Sequence, residues 1–185
     1  MHALLIAVTL FAQTSASVSR ETVKSTADVR AALAPSAREK LEQAAVSIEK
    51  ADVKTARAAV TKAFPGAELG APELDALASF VLAEVAEVIG AESKKIDEQR
   101  TALRAAMKAA GVEPKAGAKY ALKLSGDYAK APEPLAADAT PAAMQQRLDE
   151  LGAMADLNQR RRTSIADAAW KKGHDVVLNS IRNLK

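Results

Sequence analysis

Residues 71–111 read "APELDALASFVLAEVAEVIGAESKKIDEQRTALRAAMKAAG" and decide the fold. Apolar side chains recur there at the three- and four-residue spacing of one helix face. They are Leu74, Leu77, Val81, Val85, Val88, Ile96, Leu103 and Met107. Pro72 suits the first helical turn because its φ is fixed and its missing N–H needs no partner there. Gly111 is typical of a residue that caps a helix C-terminus. The pattern therefore predicts one long helix over residues 73–111.

A second long helix is predicted after an irregular connector, residues 112–140, in which Gly, Pro and Ala dominate. Thr140 and Pro141 fit the N-cap and the first helical position. The apolar stripe continues through Met144, Leu148, Leu151, Ala155, Ile165, Ala168 and Ala169. Gly173 is expected to break this helix, and Asp175 to cap a final one. Two long helices joined in this way usually pack antiparallel, so residues 72–185 are interpreted as one unit.

Residues 17–66 contain shorter apolar stripes separated by Pro35 and ended by Pro65-Gly66, which predicts an N-terminal helical hairpin. Clusters of β-branched and aromatic residues, which mark strands, are missing after residue 20. Alanine accounts for 43 of the 185 residues, and alanine favours helices but buries little area. We therefore predict an all-α fold, an elongated, coiled-coil-like helical bundle. In it, the N-terminal helical hairpin packs on a long antiparallel helix pair.

The first sixteen residues, "MHALLIAVTLFAQTSA", have the pattern of a secretory signal peptide. A short apolar run is followed by small residues, with Thr14 and Ala16 at positions −3 and −1 of a cut after residue 16. The composition, rich in alanine and free of cysteine, favours a bacterial periplasmic or secreted protein without disulfides. No transmembrane segment is expected after removal of residues 1–16, because a span needs about 20 apolar residues.

Charge is distributed unevenly along the chain. Residues 68–99 hold eight carboxylates and two lysines, whereas residues 159–185 hold seven Lys/Arg and two Asp. If the two long helices have equal rise per residue, the numbers of facing residues sum to about 252. This register places Arg160–Arg162 near Glu92 and Lys171–Lys172 near residues 80–84. The acidic part of one helix is thus expected to neutralise the basic part of the other. In this register the polar stretches 91–101 and 156–164 overlap, and both are expected to be solvated.

The basic stretch "NQRRRTSIADAAWKKGHD", residues 158–175, holds the candidate binding residues. These are Arg160, Arg161, Arg162, Trp170, Lys171 and Lys172. One interpretation is internal pairing along a narrow alanine-rich seam. The other is a surface on helix 160–172 for an anionic partner such as lipid headgroups, cell-wall polymer or an acidic protein. Nucleic acid is the least favoured partner, because single strands need stacking aromatics beyond one Trp.

No catalytic, cofactor or metal site is predicted. After signal removal His174 is the sole imidazole, no cysteine is present, and no Gly-rich phosphate loop occurs. Glu84 and Glu87 are three residues apart, a spacing common on solvated helical faces. We expect a non-enzymatic exported scaffold or chaperone-like protein that binds a protein partner, a second copy of itself included. The alternative is an envelope-surface binder that uses residues 160–172.

Overall fold

A computed structural model describes residues 20–115, 120–124, 126–136 and 138–185, except for the side chains of residues 166 and 167. The secondary structure of this part of the chain is almost entirely helical. In chain order it comprises β1 (Glu21–Val23), α1 (Thr26–Ala32), α2 (Pro35–Ser47), α3 (Val53–Ala63), α4 (Ala71–Ala109), α5 (Pro141–Ala169), β2 (His174–Val176) and α6 (Leu178–Arg182). The predicted signal peptide, residues 1–16, lies outside the described residues. No helix among them is long and apolar enough to cross a membrane.

Helices α4 and α5 form the predicted long antiparallel pair. At about 1.5 Å per residue, the 39 residues of α4 span roughly 58 Å. Gly111 ends α4 with φ 71°, and the N–H of Val112 donates to the carbonyl of Met107 at 2.9 Å. A left-handed residue with this back-bond satisfies carbonyls that a helix end leaves free. At the start of α5, the Thr140 hydroxyl accepts from the N–H of Ala143 at 3.3 Å.

The predicted register of the pair is confirmed by a close approach between its helices. A Cβ placed on Gly90 of α4 lies 3.3 Å from Cζ of Arg162 on α5, and these residue numbers sum to 252. Gly90 leaves the space that the guanidinium group occupies, so it does not interrupt α4, which is continuous through this position.

The N-terminal helices pack on the first half of α4, as predicted. Leu41 of α2, Val60 of α3 and Phe80 of α4 are fully buried in the main core. Ala45 of α2 and Ala56 of α3 are also fully buried there. Because their side chains are small, the helices can approach one another closely. The result is the predicted all-α bundle, in which a helical hairpin rests on the long pair.

Although clusters that mark strands are missing from the sequence after residue 20, two short strands form there. β1 and β2 pair antiparallel, with Glu21 opposite Val176 and Val23 opposite His174. Asp175 therefore lies within a strand and does not cap the last helix; its carboxylate accepts from the Thr22 hydroxyl. Val23 of β1 and Val176 of β2 are buried in the main core. Three residues per strand are too few to show a period of two in the sequence.

Part of the connector, which we call the strap (residues 126–136), lies against α4 and α5 and joins a second core. Ala129 of the strap is fully buried among Ile96, Met107 and Leu151. Asn158 of α5 is also fully buried. Its amide oxygen accepts from the N–H of Ala129 at 2.7 Å, and its amide nitrogen donates to the carbonyl of Ala129 at 2.9 Å.

Two residues of α4 hold the strap in the same way, through its backbone atoms. The N–H of Ala131 donates to Glu92 Oε2 at 2.7 Å, and Gln99 Nε2 donates to the carbonyl of Pro132 at 2.7 Å. The expectation that the overlapping polar stretches are solvated was therefore wrong for these residues. Their polar groups satisfy backbone groups that would otherwise lose hydrogen bonds on burial.

Candidate functional site

The predicted basic helix over 160–172 ends earlier than expected. α5 stops at Ala169, and Trp170 is its C-terminal cap with φ −121° and ψ 22°. Lys171 and Lys172 follow in the turn that leads to β2. Gly173 turns the chain close to β1, because a Cβ there would lie 2.9 Å from Cγ2 of Thr22. The six candidate residues thus sit on two structural elements.

The three consecutive arginines of α5 have three different surroundings, since successive residues of a helix are about 100° apart. Arg161 forms an ion pair with Asp127 of the strap and donates to the carbonyl of Ala51 at 3.2 Å. Arg162 lies 3.6 Å from the exposed Glu87 of α4. Arg160 is exposed and forms no ion pair with a described carboxylate.

The expected neutralisation of Arg160–Arg162 by acidic residues of α4 is therefore borne out only for Arg162. Arg161 takes its carboxylate from the strap, whose path the sequence does not show. The Asp127 carboxylate also accepts from the N–H of Ala51 at 3.2 Å. Arg161 and Asp127 thus fasten the strap to the loop between α2 and α3, and this arginine is part of the fold.

Trp170 is a packing residue. It packs partly buried against the main core, and its indole N–H donates to the Thr26 hydroxyl at 3.0 Å. Its ring meets the His174 ring edge-on, with centroids 5.8 Å apart. Lys171 and Lys172 are exposed and make no ion pair with a described carboxylate. The candidates therefore divide into fold-forming residues and exposed cations at two separate places.

Arg160 contributes to a large cavity, which we call the α4–α5 groove. It has a volume of about 1000 Å³ and lies between α4, α5 and connector residues 114–115 and 120–124. Leu148 and Leu157 of α5 and Leu122 and Leu124 of the connector line it with apolar surface. A volume of this size is at the upper end of the range for ligand sites.

Basic side chains outnumber acidic ones in the α4–α5 groove. The charged lining residues are Arg100, Arg104, Lys115 and Arg160, against Asp149 and Asp156. The formal lining charge is therefore +2. Arg100 donates to Asp97 at 3.0 Å, but its Nε is buried and has no hydrogen-bond partner among the described residues. Sequence analysis found Arg160 but missed the other cations, since nothing in their spacing shows that α4 and the connector meet here.

Two ionisable side chains at the strap, Glu92 and Tyr128, have shifted pKa values. Burial acts to raise the pKa of Glu92, but hydrogen bonds from Lys95 and from the N–H of Ala131 outweigh burial, so the pKa lies below its ordinary value. Tyr128 shows the opposite direction, because burial raises the pKa of its phenol. Its hydroxyl donates to the carbonyl of Ile48 at 3.2 Å, which ties the strap to the end of α2.

A contact between Ser79 and His174 was missed by sequence analysis. Ser79 Oγ on α4 lies 3.1 Å from His174 Nε2 on β2, and 95 residues separate the two in the chain. The described side chains provide no carboxylate hydrogen-bonded to the other ring nitrogen, which a Ser-His-Asp triad requires. Within the described residues, no cluster of three His, Asp or Glu side chains is placed to hold a metal ion.

Comparison of the chain with protein-family models, with curated proteins and with solved structures finds no match.

Proposed function

We propose that this protein is a non-enzymatic binding protein that holds an acidic, partly apolar segment of a partner protein in the α4–α5 groove. One observation carries the proposal: the α4–α5 groove combines an apolar lining with an excess of cations. Export to a periplasm or exterior, expected from residues 1–16, is part of the proposal. In that setting the protein serves as a scaffold subunit or a chaperone-like holder.

The chemistry of the groove favours an anionic peptide. Lining walls of low dielectric strengthen the field of a net positive charge inside a cleft. Arg104 and Arg160 are exposed, and neither forms an ion pair with a described carboxylate. Leu157, Leu122 and Leu124 are half-buried and offer apolar surface, whereas Leu148 is buried. A strand-like peptide with alternating acidic and aliphatic residues presents its two kinds of side chain on opposite faces, and so matches this lining.

The length of the groove sets the size of the segment. Its α5 side runs from Leu148 to Arg160, which is roughly 18 Å at the helical rise of about 1.5 Å per residue. An extended chain advances about 3.3 Å per residue. The groove therefore accommodates a segment of about five or six residues.

The strap supports the proposal from within the molecule. It is a non-helical segment that α4 and α5 already hold through side chains bonded to its backbone atoms, as Asn158 does to Ala129. Hydrogen bonds to backbone atoms do not depend on the side chains of the segment that is held, which suits a protein that binds varied partners. The groove uses a different face of α5, because Asp156 and Asn158 lie about 160° apart around the helix. The strap therefore does not fill it.

Fluorescence anisotropy with a labelled peptide of alternating Glu and Leu, six residues long, tests the proposal. The peptide is expected to bind, and binding is expected to weaken as salt is raised. The double variant Arg104→Glu/Arg160→Glu should lower the affinity at least about tenfold, because it reverses two charges in the groove. A peptide of alternating Lys and Leu, of the same length, should bind more weakly than the acidic one.

The matched control is Lys54→Glu/Lys62→Glu, which makes the same charge change on exposed positions of α3 outside the groove. Equal affinities of the two double variants for the acidic peptide would overturn the proposal. So would equal binding of the acidic and basic peptides by the unmodified protein. Sedimentation of the free protein addresses the other partner expected from the sequence, since a dimer that Arg104→Glu/Arg160→Glu dissociates would identify a second copy as the occupant.

Binding to an anionic envelope surface remains a second candidate function. It is favoured by the exposure of Arg160, Lys171 and Lys172. The ion pair between Arg161 and Asp127 weighs against it, because a continuous basic face would also need the charge of Arg161. Co-sedimentation with anionic vesicles that disappears in moderate salt, and that Lys171→Gln/Lys172→Gln abolishes, would support this function.

A further inference from the structure

A second basic cavity lies at the opposite end of α5 and shares no lining residue with the α4–α5 groove. We call it the His174 cavity. Its volume is about 220 Å³, and four separate parts of the chain line it. Arg57 comes from α3, Ser79 from α4, Lys171 and Lys172 from the turn after α5, and His174 from β2.

The charge of the His174 cavity is uncompensated within the described residues. Its one acidic lining residue is Asp75, which accepts from Arg57 Nε at 2.6 Å. With Lys171 and Lys172 included, the formal lining charge is +2 while the imidazole is neutral. Like charges that share a concave site repel one another. A bound anion would relieve this repulsion, and the cavity would concentrate the field on it.

Two further hydrogen-bonding groups, Ser79 and His174, complete the lining. Ser79 is 8% exposed and contacts His174 Nε2 at 3.1 Å. The His174 ring packs against Trp170 in a T-shaped arrangement, and Trp170 is itself held by its hydrogen bond to Thr26. If His174 donates through Nε2, the hydroxyl proton of Ser79 is left for another acceptor. The position of the imidazole is therefore set by its neighbours before any ligand arrives.

We infer that the His174 cavity binds a phosphate monoester group through Lys171, Lys172 and Ser79. A phosphate monoester carries about −1.5 to −2 charges near neutral pH and offers three acceptor oxygens. That charge matches the excess of +2, and the oxygens match donors that approach from different parts of the chain. The volume is below the range of about 300–1,000 Å³ typical of sites for larger ligands. The site therefore takes a head group and leaves the rest of the ligand outside.

Trp170 is the chain's single Trp, so its fluorescence reports on this cavity without a label. Titration with inorganic phosphate, at ionic strength held constant with chloride, is expected to give a saturable change with Kd of about 1 mM or tighter. Lys171→Gln/Lys172→Gln should raise Kd at least about tenfold. Lys54→Gln/Lys62→Gln, which also removes two lysines, should leave Kd unchanged.

Vesicles distinguish a free phosphate compound from a lipid headgroup. Both sets are made in phosphatidylcholine and carry equal anionic charge: one contains phosphatidylglycerol, a phosphate diester, and the other contains phosphatidic acid, whose headgroup is a phosphate monoester. Saturable binding of inorganic phosphate that depends on Lys171 and Lys172, without vesicle binding, assigns a soluble ligand. Vesicle binding that needs phosphatidic acid and the same two lysines assigns a lipid. Binding of neither probe, or binding that Lys171→Gln/Lys172→Gln leaves intact, overturns the inference, whatever the α4–α5 groove binds.

Discussion

Replacement of Asn158 by alanine is the most direct test of how the strap is held. Asn158 is fully buried, and its amide makes both hydrogen bonds to the backbone of Ala129. Alanine preserves the helix but removes the donor and the acceptor together. The N–H and C=O of Ala129 are then left in a buried position without partners.

The magnitude follows from these two groups. A buried polar group that loses its partner costs about 1–3 kcal/mol, and water that enters the space left by the amide recovers part of this cost. We expect Asn158→Ala to lower the free energy of unfolding by about 2–4 kcal/mol. For a domain of this size, this corresponds to a fall in Tm of roughly 4–16 °C.

Urea denaturation measures the change in unfolding free energy, and amide hydrogen exchange locates it. Exchange of the Ala129 N–H should accelerate in Asn158→Ala, because this N–H loses its acceptor. The neighbouring Gln159 is exposed, so Gln159→Ala is the matched control and should change the unfolding free energy by less than about 0.5 kcal/mol. If Asn158→Ala is as stable as Gln159→Ala, or the Ala129 N–H stays protected, the account of the strap is refuted.

Three further predictions concern single positions. Gly90→Ala should stabilise the protein by about 0.5–1 kcal/mol in urea denaturation, because the new Cβ meets only the movable end of Arg162; a loss of stability would show that this contact outweighs helix propensity. Gly111→Ala should cost about 1–2 kcal/mol in the same assay, since φ is 71° there, and an unchanged midpoint would contradict the cap. Glu92 has a lowered folded-state pKa, so its contribution to stability is present above its ordinary pKa and is lost as pH falls through the folded value. The unfolding free energy of Glu92→Gln should therefore fall less steeply than that of the unmodified protein on acidification, and parallel curves would exclude this role.

Local signals in the sequence predicted the two long helices, the end of α4 and the start of α5. Gly111 and Thr140 act through bonds to residues within a few positions, so their roles can be read without knowledge of the fold. The register of α4 and α5 was predictable as well, because two straight helices advance equally, and Gly90 does lie opposite Arg162. The regular geometry of helices thus allowed a long-range contact to be predicted from local sequence patterns.

Contacts made through irregular segments could not be predicted. The pairing of Arg161 with Asp127 depends on the path of the strap, and this path has no period. The contact of Ser79 with His174 depends on a strand of three residues. For the same reason, sequence analysis identified only Arg160 among the cations of the α4–α5 groove, since the others come from α4 and the connector.

The small sheet has a consequence for the order in which the molecule forms. Glu21 pairs with Val176, so β1 acquires its neighbour only after α5 and the following turn have been synthesised. Closure of so long a loop is slow and entropically unfavourable, and until then Val23 lacks the cover that β2 gives it. Completion of the fold is thereby postponed until late in translation. A chain that ends before residue 174 therefore cannot complete the sheet.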